Sequence, residues 1–171
     1  MNGLQKVVNI VEKLTDIFSG RLQAVIIFLL MVMLLVEVLT RYILRSPLSI
    51  AEEMGGYLLV SITFMGLAYT WKEKGHVRVT LIISRLPEKA ARLIRFITLI
   101  LATVFTLPLI KACYELLADS LLFESRSGSW LRIPLVYPQT ILLVGAVLLL
   151  LQLLVEVIKA IMAMKRSEEN N

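Results

Sequence analysis

Four long apolar runs set the rhythm of the chain, at Leu22 to Leu39, Met54 to Trp71, Phe96 to Leu117 and Leu135 to Val157, with short polar stretches between them. Each is close to the ~20 residues that cross the hydrocarbon core of a bilayer. A segment in that medium must satisfy its backbone hydrogen bonds internally, which helices do. The pattern therefore predicts an all-α integral membrane protein with four transmembrane helices, at about 22–44, 50–71, 90–118 and 135–160, in a single membrane domain covering 1–171. Ahead of the first run, Leu4, Val7, Val8, Val11, Leu14 and Phe18 recur at helical spacing, with Gln5, Lys6, Asn9, Glu12, Lys13 and Asp16 on the other side. This predicts an N-terminal amphipathic interfacial helix over about 3–19, with Gly20 turning the chain from the membrane plane into the first span. A solvated terminal helix would show the same period.

The polar residues near the span ends add detail. Glu37 and Arg41 stand one turn apart near the outer end of span one, acid before base, and Lys111 and Glu115 repeat the spacing on span three. Charges at such depth favour meeting on an inner face of a bundle, although Arg41 and Lys111 are also long enough to snorkel to the interface. Ser49 and Glu52 have the spacing of a capping box, which opens span two at about Ile50. Glu52 and Glu53 then lie in its first turn, where they favour the helix dipole and can reach Arg41 or Arg45. Gly55, Ile62 and Gly66 fall near one face of that span, which suits the close approach of another helix. Trp71 ends the span as an interfacial anchor, Pro87 opens the helix of span three, and Leu81 to Leu86 is too short to cross. The stretch from Asp119 to Pro134, containing Trp130, is the most polar outer segment, and it is expected to dock another protein unless Trp130 and Tyr137 serve only as belt aromatics.

Composition agrees with this picture, since 58% of the residues are hydrophobic, above the 45–50% of soluble domains, and the mean hydropathy is +0.81. The net charge of +5 is topological. Thirteen of the 18 Lys and Arg flank the spans on one side, in the N-terminal segment, between spans two and three, and after span four. The positive-inside bias then puts both termini and that middle loop in the cytoplasm. No soluble basic face with interleaved aromatics points to nucleic acid. The first apolar run has about 20 residues before it and no small-residue cleavage site after it, so it is expected to stay in the mature chain. Cys113 is the only cysteine, expected in packing, and His76 the only histidine, so a paired-histidine haem site within one chain is excluded. No nucleotide-binding, zinc-hydrolase, CxxC or nucleophile-elbow motif occurs. No catalytic, cofactor or metal residues are therefore assigned, and the chain is not expected to be an enzyme.

Arg41-Tyr42 at the end of span one, Ala51-Glu52-Glu53 opening span two, Gly66 within it, Gly75-His76-Val77-Arg78-Val79 after it and Ile133-Pro134 before span four stand in a recognisable order. In these features the chain resembles the small (Q, DctQ-like) membrane subunits of tripartite ATP-independent periplasmic (TRAP) transporters. It departs from the pattern at Ile50 and Ser61, where such subunits usually have Trp, at Thr80, where Asp is usual, and at Leu143, where Pro is. The resemblance implies a bacterial inner-membrane protein with two partners. One is a large membrane subunit that moves substrate by a sodium-coupled elevator motion. The other is a periplasmic binding protein delivering an organic acid, such as a sialic acid or a C4-dicarboxylate. The small subunit would brace the large one, with lipids around it and no cofactor of its own. The candidate structural and partner-interface residues are Glu37, Arg41, Glu52, Glu53, Gly55, Gly66, His76, Arg78, Lys111, Glu115, Trp130 and Pro134. A four-helix anchor of a respiratory enzyme and a small four-helix exporter are the competing readings.

Overall fold

The computed structural model describes residues 3–45, 49–73 and 87–169. The chain there forms α1 (Gly3–Thr15), a π-helical turn (Asp16–Arg21), α2 (Leu22–Ile43), α3 (Ser49–Lys72), α4 (Glu88–Leu122) and α5 (Val136–Glu169). Four stretches are long and apolar enough to cross a membrane, Val8–Ile43, Ile50–Lys72, Ala90–Leu122 and Val136–Met162. The expected all-α, four-span architecture is the one adopted. α4 and α5 have 35 and 34 residues, about 50 Å at 1.5 Å per residue. Against a core of ~30 Å they must tilt or project beyond it.

The spans form an open row. α2 packs along α3, α3 along α5, and α5 along α4, while no comparable seam joins α2 to α4 or α5, or α3 to α4, among the described residues. α5 is the hub: in its most apolar window 39% of residues are buried, against 6% for the stretch containing α2. The edge helix α2 contributes one narrow seam, Gln23, Ile26, Leu30, Met33, Glu37 and Thr40, whose members are buried or half-buried while their neighbours are exposed. Steps of three and four alternate there, the 3.5-residue period of coiled-coil packing. On α4 the buried positions Leu99, Thr106, Cys113 and Ser120 recur every seventh residue, the same period. Cys113 is thus a packing residue, as expected. Leu99 joins Leu149 and Leu153 of α5 in a cluster against which Leu67 and Trp71 of α3 also pack. Trp71, at the end of α3, is therefore half-buried against that cluster.

Two glycines of α3 face side chains of α2. A Cβ on Gly55 would touch Met33 Cε at 3.4 Å, and one on Gly66 would lie 2.4 Å from Gln23 Nε2. Gln23 Nε2 in turn donates to the Ile62 carbonyl at 3.1 Å. The small-residue face read from the sequence is the face that meets α2. A closer approach occurs between α3 and α5, where a Cβ on Gly145 would fall 2.5 Å from the Phe64 carbonyl oxygen.

The predicted turn at Gly20 is not made by that glycine. No described glycine has positive φ, and Thr15 and Leu22, which flank the six-residue π-helical turn, are both in the right-handed helical region. The chain changes neighbours through that turn: α2 packs on α3, whereas α1 packs on α5. Widened π turns are a recognised way to redirect a helix without breaking it. Gly20 has a different use, because its Cβ would lie 3.1 Å from Cε2 of the Tyr69 ring. α1 consequently straps α5, with Val8 and Val11 against Val155 and Leu151.

Candidate functional site

The polar groups gather at the two ends of the row. At the end carrying the loop between α4 and α5, Arg41 makes a two-pronged contact with Glu37, Nε and Nη2 donating to Oε1 at 3.0 and 2.7 Å. Acid and base sit one turn apart on α2, so the geometry follows from helical spacing alone. Glu37 is only 7% exposed, on the seam facing α3. Arg41 Nη2 also approaches Glu52 at 3.7 Å, but the Glu52 side chain is 79% exposed. That contact ties α2 to α3 weakly, because solvent-facing ion pairs contribute little.

Glu53 takes no part in it. Its Oε1 accepts from Tyr57 Oη at 2.8 Å, and its Oε2 accepts from Ser129 Oγ in the loop between α4 and α5. Ser129 is held further by Ser127, whose Oγ lies 2.8 Å from Ser129 Oγ. The loop is itself folded: Ser127 N donates to the Ile133 carbonyl at 2.9 Å and Leu135 N to that of Ser125 at 3.0 Å, and Arg126 and Pro134 form an antiparallel bridge. Positive φ values at Glu124 and Arg132, both 45°, turn the chain at the margins of this clasp. Glu53 thus pins the loop between α4 and α5 to the N-terminal end of α3, and that loop presents Trp130, 91% exposed, together with Tyr137, which is also exposed.

The second charged pair lies elsewhere. Lys111 and Glu115 approach at 3.6 Å on α4, with side chains 76% and 61% exposed. α2 and α4 are the two edges of the row, so the four charges expected to meet on an inner face are distributed to opposite sides. The Arg41 and Lys111 side chains are exposed, whereas Glu37 is buried. The capping interaction predicted for Ser49 rests on a side chain outside the described ones, and His76 and Arg78 also lie outside the described residues.

At the opposite end, α1 is tied down by contacts that sequence reasoning did not identify. Glu12 accepts from Lys159 Nζ at 2.5 Å, and Asp16 pairs with Lys72 at the end of α3. Thr15 Oγ1 donates to Gln152 Oε1 at 3.3 Å, with both residues fully buried. The signal for Gln152 was present, since a lone amide inside the run Leu148 to Val157 is costly in lipid unless it has a partner. Nothing local in the sequence specifies that the partner is 137 positions away.

The ends therefore hold contacts suited to fastening helices and presenting loops, and among the described residues no group of three or more His, Cys, Asp or Glu is placed to hold a metal. Residues 30–163 match the sequence pattern of the DctQ component of tripartite ATP-independent periplasmic transporters. Over 110 residues, 64% of the chain, the sequence is 27% identical to a protein of Haemophilus influenzae named as a TRAP transporter small permease. The matched part covers 58% of the length of that relative.

Proposed function

Because this chain belongs to the family of DctQ components of tripartite ATP-independent periplasmic transporters, we propose that it braces the large membrane subunit of such a transporter. The large subunit, in this reading, moves an organic acid with sodium after a periplasmic binding protein delivers it, and this chain widens the static frame against which it moves. The observation that carries the proposal is the open row. Four spans with only three seams leave the α2 and α4 edges without a second neighbouring span among the described residues, a shape suited to lying against a larger membrane protein. Helix association in lipid depends on such close packing, because lipid tails already satisfy apolar side chains. The inner membrane is the corresponding location, with both termini and α1 on the cytoplasmic side and the loop bearing Trp130 on the periplasmic side.

An affinity-tagged large subunit co-expressed with this chain should retain it through detergent extraction and size-exclusion chromatography, and separate elution of the two would defeat the bracing role. Topology can be checked in the same cells, in a Cys113→Ala background. Gly128, whose Cβ position has no atom within 4 Å, and the exposed Glu73 are each replaced by Cys. A membrane-impermeant thiol reagent should label position 128 in intact cells and spare position 73. The reverse pattern would invert the orientation.

A further inference from the structure

The strap formed by α1 and the π-helical turn after it divides its charges by sign. Its acids face the protein: Glu12 is held by Lys159 and Asp16 by Lys72. Its bases do not, for Lys6, Lys13 and Arg21 are all exposed, and none pairs with an acid among the described residues. The exposed apolar residues Ile10, Leu14, Ile17 and Phe18, of which Ile10 is 58% exposed, follow helical spacing on the same outward side. Val8, Val11 and Thr15 occupy the inward side with the acids. The helix therefore presents a surface from which negative charge has been withdrawn and on which cations flank an apolar stripe.

We propose that this outward face of α1 and its π-helical turn is a binding surface for anionic phospholipid head groups, with Ile10, Leu14, Ile17 and Phe18 in the acyl boundary and Lys6, Lys13 and Arg21 at the phosphates. The chemistry fits a lipid surface better than a protein in the bilayer, since a protein face would have to desolvate three unpaired cations, whereas head groups neutralise them in place. Lys72 and Lys159 act indirectly. By holding Asp16 and Glu12 they keep like charge away from the phosphates. The inference rests on the chain being a membrane subunit and is independent of which partner it braces.

The test uses the full chain alone, carrying Cys113→Ala and Ile10→Cys with an environment-sensitive fluorophore at position 10. It is reconstituted in phosphatidylcholine vesicles containing equal amounts of brominated phosphatidylglycerol or brominated phosphatidylcholine. Brominated phosphatidylglycerol should quench the label several-fold more strongly. Lys6→Gln, Lys13→Gln and Arg21→Gln combined should bring the two lipids level, with up to about fivefold of the preference lost per charge. Equal quenching in the otherwise unaltered chain would overturn the proposal, as would a label reached only by aqueous iodide. Shielding that appears only when the large subunit is added would make the surface a protein interface instead. Since no transport is measured, a negative result here leaves the bracing role standing, and failure of complex formation leaves the lipid preference measurable.

Discussion

Proteoliposomes holding the large membrane subunit without this chain should take up no organic acid above background, even with the binding protein present and an inward sodium gradient imposed. Adding this chain should restore uptake, and removing sodium or the binding protein should abolish it again. The expected effect is close to all-or-none because the proposed help is mechanical. A subunit that carries substrate across the bilayer must push against something that stays still, and the row α2–α3–α5–α4 has the breadth to stay still. Bound faces would be held by helix packing, while α1 would resist tilting from the interface. Full uptake by the large subunit unaided would reject the role, and uptake by this chain alone would favour the exporter reading.

Gly145→Leu should prevent the chain from folding stably. The position allows no side chain, because a Cβ would lie 2.5 Å from the Phe64 carbonyl oxygen and 2.6 Å from its carbon. These are backbone atoms of α3 and cannot rotate aside. The helices would have to separate along the seam that buries Ala68 and Ala146 completely. Overpacking in a core typically costs about 1–3 kcal/mol, and leucine here exceeds the ordinary case. The gain in helix propensity on replacing glycine, at most ~1 kcal/mol, does not offset it. The buried thiol of Cys113 supplies the measurement, since a thiol-reactive dye reports its exposure on heating. Gly145→Leu should label at much lower temperature than the unaltered chain, whereas Gly56→Leu, at a position with no atom within 4 Å of the Cβ, should leave the profile nearly unchanged. Matching profiles for Gly145→Leu and the unaltered chain would refute the close approach as a requirement.

Features that depend on composition over a helix length were legible from the sequence. The four spans, the Glu37–Arg41 pair and the glycine face of α3 all follow from periods of 3.6 residues or runs of about 20. What escaped was non-local. Glu53 meets a serine 76 positions away, and nothing in Ala51-Glu52-Glu53 separates the glutamate that turns to the loop from the one left in solvent. Gly20 was read as a turn because glycine often ends helices, yet the chain stays helical there through a π-helical turn, and Gly20 lies against a tyrosine ring. The expectation that the charged pairs of α2 and α4 would meet assumed a closed bundle. Apolar periodicity cannot distinguish a bundle from a row in lipid, because an exposed leucine costs nothing there. Gly145, the only glycine in its run, had a readable signal in its adjacency to Ala146.

A row one helix thick has little interior of its own. Each span of a ring of four packs along two others, but here α2 and α4 each pack along one span among the described residues, so a larger share of the contacts that could hold the chain in shape must come from outside it. Binding then adds to folding by mass action. A copy made in excess of its companion would open more often, and quality-control proteolysis acts on open states. The lifetime of this chain would accordingly follow the supply of the protein it lies against, so that matched amounts of the two could arise from differential survival without matched synthesis.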